Sequence, residues 1–445
     1  MAEITETAQV RKGHPPALYL LSATAAGERF AYYGMRALLM LYMIAGVSEA
    51  LPGMAFSKST SGLVYGTFNA LCYGFPFFGG IIADRLIGKR RSATIGGILI
   101  AAGLIVLSLD NSLVPFISGL TLMAVGNGFF KPTVVTMIGE LYEQGDPRRD
   151  NAFTLYYQLF NGSVFFAPLL CGWIAVEYGY RAGFIVAGGA VLISMLIYWM
   201  MAPKMLGNIG KSVVVKQEKA GKAGEKIALS KEEKDRIAVI FTLFFFVTFF
   251  WTGFEQAGSS MTVFTEESIN RTIGNFTIPT PWFQSLNPLL VFGLGFVFSA
   301  LWMKLARIGK NPSTPVKMGM GMIFLGIGFV IMLGAVAQLN TGTAKASMLW
   351  LLVAYLFHTF GELMLSPIGL SMVTKLAPAH MVSMFMGVWF LPTFIAHLLG
   401  GVLASFIETL GPGLIFGGIA AFVIILGVSV FFLSKKLLYM MHGRD

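Results

Sequence analysis

Charge is what this sequence has least of. Only 12% of its 445 residues are Asp, Glu, Lys or Arg, while 56% are hydrophobic. An ordinary soluble domain carries about 25% charged residues. The shortfall excludes a cytosolic enzyme and a disordered chain, because neither keeps its surface in water with so little charge. Cysteine is nearly absent. The 2 present, Cys72 and Cys171, sit inside apolar runs, which excludes a disulfide scaffold and a cysteine metal site. There is no His-Glu-x-x-His pair, nucleophile elbow or phosphate-binding loop, so nothing points to an embedded enzyme, and no soluble domain is present to signal with. Residues 1–15 lack the basic-then-apolar pattern of a signal peptide, and the first apolar segment is expected to be an uncleaved span. Acidic residues are scarcer than basic ones, 22 against 32, a formal charge of +10 that membrane topology explains without nucleic acid.

What is abundant is long apolar sequence. Twelve stretches stand out, at 16–46, 59–83, 91–110, 114–141, 151–176, 181–203, 236–264, 281–306, 315–338, 347–376, 381–408 and 411–434. A spanning helix needs roughly 20 apolar residues, far more than a barrel strand, so these read as helices of an all-α integral membrane protein. Lys and Arg concentrate in connections on the side of the amino terminus, including Arg85, Lys89, Arg90, Arg91, Arg148 and Arg149. Opposite connections carry only Lys58, Arg181, Arg271 and Lys345. The positive-inside rule then puts both termini in the cytoplasm of a multi-pass plasma-membrane protein, for a bacterium the inner membrane. A polar tether rich in Lys, Glu, Gly and Ala divides the chain into 1–203, 204–235 and 236–445. Two bundles of six helices suggest the major-facilitator architecture, with a site between them at mid-membrane.

Six charges lie where hydrocarbon should exclude them: Glu28, Arg29, Arg36, Lys131, Glu255 and Glu362. Each costs about 2.5–3.5 kcal/mol at a helix centre, so pairing or a wet cavity must offset the sum. Permanent salt bridges would be one answer. Apolar replacement of buried pairs is often neutral or stabilising, however, which favours a polar pathway. Arg29, Tyr32, Tyr33 and Arg36 recur at i, i+3, i+4 and i+7, one helix face bearing two cations and two phenols, chemistry suited to a carboxylate. Asn161, Gln284 and Asn287 add uncharged polar groups at depth. Helix breakers stand beside the polar residues, at Lys131-Pro132, Asn287-Pro288, Glu362 with Pro367 and Gly369, and Trp389 with Pro392, and predict kinks suited to gating. His358, four residues before Glu362, is expected to be a satisfied polar residue, with a proton relay as the alternative. His397, alone on an apolar span, is expected to be structural.

Between spans 2 and 3 the chain reads Gly79-Gly80-Ile81-Ile82-Ala83-Asp84-Arg85-Leu86-Ile87-Gly88-Lys89-Arg90-Arg91. The pattern, with Gly80, Asp84, Arg85, Gly88 and Arg90, resembles the major-facilitator loop signature, with Asp84 expected to meet a basic residue or helix end. Beyond it, the sequence resembles the proton-dependent oligopeptide transporter family nearly end to end. The resemblance rests on Glu28-Arg29-Phe30-Ala31-Tyr32-Tyr33-Gly34, Gly128-Phe129-Phe130-Lys131-Pro132, Asn161-Gly162-Ser163, Phe254-Glu255-Gln256-Ala257-Gly258-Ser259-Ser260, Phe283-Gln284-Ser285-Leu286-Asn287-Pro288, and the run from Gly361-Glu362 through Ser366-Pro367 to Ser371.

The resemblance implies a transporter, not an enzyme: proton-coupled uptake of di- and tripeptides, with protons as coupling ion and no cofactor or obligate protein partner. It implies that Arg36 and Lys131 attract the peptide carboxylate, with Tyr32, Tyr33 and Tyr73 nearby. Glu362 would meet the amino group, helped by Asn161 and Asn287, while Trp251, Trp389 and Thr393 line side-chain pockets. It pairs Arg36 with Glu255 at an external gate and Lys131 with Glu362 at an internal one, and assigns coupling to Glu28, Arg29 and these four. Three departures stand out. Ala25 replaces the first acid of the family's Glu-x-x-Glu-Arg motif. The two extra spans of many bacterial relatives are missing. Gly66 stands about where animal relatives have a proton-linked histidine. The alternatives are uptake of another small anion, such as nitrate or an organic acid, and, more remotely, an efflux antiporter.

Overall fold

The computed structural model describes residues 13–143, 146, 148–211, 229–378, 381, 384–385, 388–389 and 391–444. Arg11, Lys12, tether residues 212–228, and the side chains of Ile368, Leu370 and Ser371 in the Glu362 motif lie outside the described residues. The helices are α1 (Pro16–Ile44), α2 (Lys58–Ile82), α3 (Lys89–Leu107), α4 (Leu113–Glu140), α5 (Arg148–Tyr178), α6 (Tyr180–Met205) and α7 (Lys231–Phe254). They continue with α8 (Ser260–Ser268), α9 (Leu286–Arg307), α10 (Thr314–Asn340), α11 (Met348–Leu376), α12 (Leu391–Ser405) and α13 (Ile407–Met440). Among the described residues, 10 helical segments are long and apolar enough to cross a membrane. The charged α1 and the shorter α12 bring the crossings to twelve. The backbone satisfies itself within each helix, the condition for lying in hydrocarbon. Caps are supplied where helices meet water: Ser57 accepts from the Thr60 N–H, and Ser230 and Glu233 form a capping box on α7.

Alternating crossings give the molecule two ends, a basic face where α1 begins and an opposite face. Among the described residues two large hydrophobic cores form, one almost wholly from α1–α6 and one from the helices after the tether, with a smaller cluster around Phe298, Leu363 and Met364. They meet where α2 packs on α12. Only glycine fits there: a Cβ on Gly66 would lie 2.5 Å from the Gly401 Cα and 2.6 Å from the His397 carbonyl oxygen. On the opposite face Ile269–Asn270 pairs in parallel with Ala346–Ser347, and Thr272–Ile273 forms a small antiparallel hairpin with Phe276–Thr277.

Three local expectations change. The stretch 236–264 is not one helix. It breaks after Phe254 into a 3-10 turn at Glu255–Gly258 and resumes as α8. The run Gly253 to Ser260 is rich in weak helix formers, and the Gln256 side chain takes over the freed groups. Its amide donates to the Thr252 and Gly400 carbonyls, each at 3.1 Å, and its oxygen accepts from Ser260 at 2.6 Å. Pro288 makes no kink. It sits in the first turn of α9, where no intrahelical N–H is needed. The loop after α2 is not a bare turn, because a π-helical turn at Ala83–Ile87 extends the helix until Gly88, at φ 80°, redirects the chain. There Asp84 lies 3.7 Å from Lys89, which also pairs with Glu140, while Arg85 is exposed and Gly80 faces Pro132. Arg90 donates to the Gly207 carbonyl at 3.0 Å, tying α3 to the end of α6.

Candidate functional site

A cavity of about 280 Å³ lies between the two sets of helices. Tyr33 and Arg36 of α1, Tyr73 of α2 and Asn161 of α5 line one side. Trp251, Glu255, Asn287 and Glu362 line the other, with Trp389 and Thr393 ahead of and in α12. Tyr32, Lys131, Glu28 and Arg29 are not in its wall. The i, i+3, i+4, i+7 face of α1 therefore splits. Successive helix residues turn by about 100°, so Tyr32 and Tyr33 cannot look the same way. Tyr32 turns to α2, where its hydroxyl donates to Asn69 at 2.6 Å. Arg29 lies over the Phe160 ring at 4.8 Å, with its Nε 3.4 Å from Glu28.

At the end of the cavity nearer the opposite face, Arg36 is committed. Its Nη2 donates to Glu255, and its Nε donates to the Tyr65 hydroxyl at 2.7 Å. Further out, Lys58 of α2 and Glu267 of α8 form an exposed pair at 2.7 Å. The Trp282 indole donates to the Leu169 carbonyl at 2.9 Å, and the Ser285 hydroxyl to that of Phe165 at 2.7 Å. These contacts join the two halves near the opposite face.

Deeper toward the basic face the charges stand apart. Glu362 accepts from the Asn287 amide at 2.7 Å, and that amide also reaches the Thr359 hydroxyl at 3.2 Å. Lys131 does not pair with Glu362. Its amine lies 4.4 Å from the Tyr32 ring centre and 4.6 Å from that of Tyr73, and donates to the Cys72 carbonyl at 3.5 Å. Asn161 donates to its own helix at Tyr157, 2.8 Å away, and Gln284 to Thr262 at 3.2 Å.

One of the two histidines differs from expectation. His358 is not satisfied: neither ring nitrogen has a hydrogen-bond partner among the described residues, and the ring packs on Phe329 at 4.7 Å. Glu362 at i+4 takes its bond from Asn287 instead, so no relay is made here. His397 is alone on its own helix, but other elements bring groups to it: its Nε2 lies 3.9 Å from Glu255 and its ring 5.0 Å from that of Tyr73. Sequence reading also missed Tyr65 and Asn69. With Tyr73 they recur every four residues along α2, a polar stripe on an otherwise apolar helix.

Comparison with known proteins fits this architecture. A family model described as the POT family matches residues 90–213 and 204–411. Peptide transporter YePEPT of Yersinia enterocolitica is 32% identical over 456 residues, covering 89% of this chain and 88% of the relative. A di-/tripeptide transporter of Lactococcus lactis subsp. cremoris is 28% identical over 496 residues, covering 99% of each. A solved peptide transporter POT in complex with sulfate superposes with a TM-score of 0.90 at 28% identity, covering 97% of both chains. Members of this family are transporters rather than enzymes, and proton-coupled symport is characteristic of them. With the family match extending over most of its length, the chain belongs to the POT family, multi-pass membrane transporters of the twelve-helix major-facilitator fold.

Proposed function

We propose that the protein is a proton-coupled symporter that imports di- and tripeptides by alternating access, in the bacterial inner membrane with both termini cytoplasmic. The observation that carries the reading is the charge placement around the cavity, with Arg36 contributed before the tether and Glu362 after it. A zwitterion with a cation at one end and a carboxylate at the other fits such a site, and termini are common to every short peptide. Arg36, with Lys131 behind Tyr73, takes the carboxylate. Glu362, with Asn161 and Asn287, takes the ammonium. Tyr32 and Tyr33 support the cation side, and Trp251, Trp389 and Thr393 accept side chains.

Residues 1–203 and 236–445 act as the two moving bodies, with 204–235 as their tether. The basic face is then cytoplasmic, and this conformation is closed outside by Arg36–Glu255 and open inside, where Lys131 and Glu362 are apart. Closure inside would bring those two together. Protonating Glu255 releases Arg36 for substrate, Glu28 and Arg29 take part in coupling, and the Asp84 loop steadies the cytoplasmic side. Similarity to the peptide transporters of Yersinia enterocolitica and Lactococcus lactis supports peptide as the substrate. No cofactor takes part.

The test is uptake of labelled dialanine into liposomes holding the purified protein, acid outside and negative inside, with and without a proton ionophore. Ionophore-sensitive accumulation, blocked by tripeptide and not by nitrate, is expected. Competition by nitrate alone would replace peptide with a small anion, and exchange without accumulation would refute proton coupling.

A further inference from the structure

The cycle proposed above leaves one buried base at the external gate without work. His397 is the sole ionisable residue of α12 and is 2% exposed. Its Nε2 has no hydrogen-bond partner among the described residues and lies 3.9 Å from Glu255 Oε1, while Arg36 holds Oε2 of the same carboxylate. Such an orphan is uncommon, since buried polar groups are nearly always bonded. Around His397 are Glu255 from the turn after α7, Arg36 from α1, Tyr73 from α2, and Lys131 of α4 against the Tyr73 ring. α13 brings no charged group to it. On α1, Ala25 offers no proton site.

We infer that His397 receives the coupling proton at the external gate, its imidazolium replacing Arg36 as the partner of Glu255. The inference rests on the symport reading and moves its coupling proton from Glu255 to His397. With imidazole neutral, Arg36 and Glu255 cancel. A proton from external water binds the Nε2 lone pair, and the new N–H turns to Oε1. Glu255 remains a carboxylate with a counter-ion, so Arg36 can leave it without stranding a buried negative charge. The site then carries one net positive charge, which the carboxylate of an entering peptide neutralises at Arg36. When the peptide leaves inward, the proton passes from Nε2 to cavity water and Arg36 returns to Glu255. The pair thus closes the gate, and the histidine reports the outside pH to it.

The experiment compares wild type with His397→Gln in the same liposomes, reading acid-driven dialanine accumulation, peptide-for-peptide counterflow at equal pH, and the half-saturating concentration from about pH 5.5 to 8, the range in which histidine titrates. His397→Asn is the second variant should glutamine perturb packing, and monodispersity is checked for both. The expected result is counterflow without accumulation in both variants, and a half-saturating concentration no longer dependent on external pH. In wild type it should rise by about tenfold per pH unit above the transition. Accumulation with an unchanged pH profile in either variant would overturn the role. So would joint loss of counterflow and accumulation in monodisperse protein, which would make His397 a packing or binding residue. Wild type that exchanges without accumulating would instead overturn symport itself, and this role with it.

Discussion

Replacing Glu255 by glutamine should move the whole transporter, not only weaken one contact. Arg36 is 7% exposed and Glu255 8%, so the pair is buried among α1, α2 and the turn after α7. Removing one partner of a buried pair costs about 3–5 kcal/mol, because the other charge is stranded. The lower end applies here. Arg36 keeps its 2.7 Å bond to Tyr65, its place beside the Tyr33 and Tyr65 rings, and a neutral acceptor on the new glutamine. That cost falls only on the state closed to the outside, since opening lets water reach Arg36. At about 1.4 kcal/mol per tenfold, a 3 kcal/mol penalty raises the outward-open to outward-closed ratio by about 150-fold. The other ties at that end, Lys58–Glu267, Trp282–Leu169 and Ser285–Phe165, are the same in wild type and variant and so do not offset the shift, and the exposed ion pair is worth at most about 1 kcal/mol. Spin labels on Val47→Cys and Leu410→Cys, exposed sites at the external ends of the two halves, read the opening by pulsed dipolar spectroscopy. Both native cysteines are buried. A new population of longer distances is expected in Glu255→Gln, and distance distributions that superimpose on wild type would refute the gating argument.

The proposed peptide clamp makes a different demand of Glu362. Glu362→Gln should raise the half-inhibitory concentration of free dialanine by about 30-fold or more, from the 2 kcal/mol lower bound for truncating a buried charge partner, and leave N-acetyl-dialanine nearly unchanged in competition assays. Equal losses for both ligands would remove Glu362 from the amino end. Gly66→Ala sets a new Cβ against the backbones of Gly401 and His397, where no side chain can yield. Overpacking of about 1–3 kcal/mol should lower the thermal midpoint and lengthen the Val47–Leu410 distance, and an unchanged protein by both measures would contradict the packing at α2 and α12. Finally, Arg36→Met with Glu255→Leu replaces the gate pair by apolar groups. Thermal stability equal to or above wild type is expected, with neither accumulation nor counterflow, and a large drop in stability would mean that the pair serves to hold the bundle.

The spans were legible because hydrocarbon tolerates one kind of backbone solution, and apolar length alone reveals it. Charges inside those spans were legible as anomalies for the same reason. What the sequence withheld was direction and partnership. Tyr32 and Tyr33 are neighbours in the chain, yet one meets Asn69 and the other the cavity. Lys131 rests between tyrosine rings instead of meeting Glu362, a choice its long side chain makes only in three dimensions. The break at Glu255 leaves hydropathy almost unchanged, since glycine and serine interrupt a helix without interrupting an apolar run. His397 was legible only as a histidine in an apolar span, because its neighbour Glu255 comes from a turn distant in sequence. The four-residue recurrence of Tyr65, Asn69 and Tyr73 was present in the sequence as a polar stripe, but became informative only once Arg36 was seen to bond its first member.

A gate locked by charge is suited to a proton in a way that an apolar gate is not. For one proton per peptide, a gradient of one pH unit supplies about 1.4 kcal/mol and 100 mV about 2.3 kcal/mol. Together they could sustain roughly 500-fold accumulation. The buried Arg36–Glu255 contact is of the same order, about 3 kcal/mol when one partner is lost. A far stronger lock would stay shut after the proton arrived, and a far weaker one, like Lys58–Glu267, would open without it. Apolar closure would resist opening equally at every pH. Placing the pair beside the Gly66–Gly401 contact also makes the charge event local to a point where the two bundles are packed closely together. Neutralising or sharing Glu255 there can change helix separation directly, with no chain of intermediaries between the proton and the packed glycines.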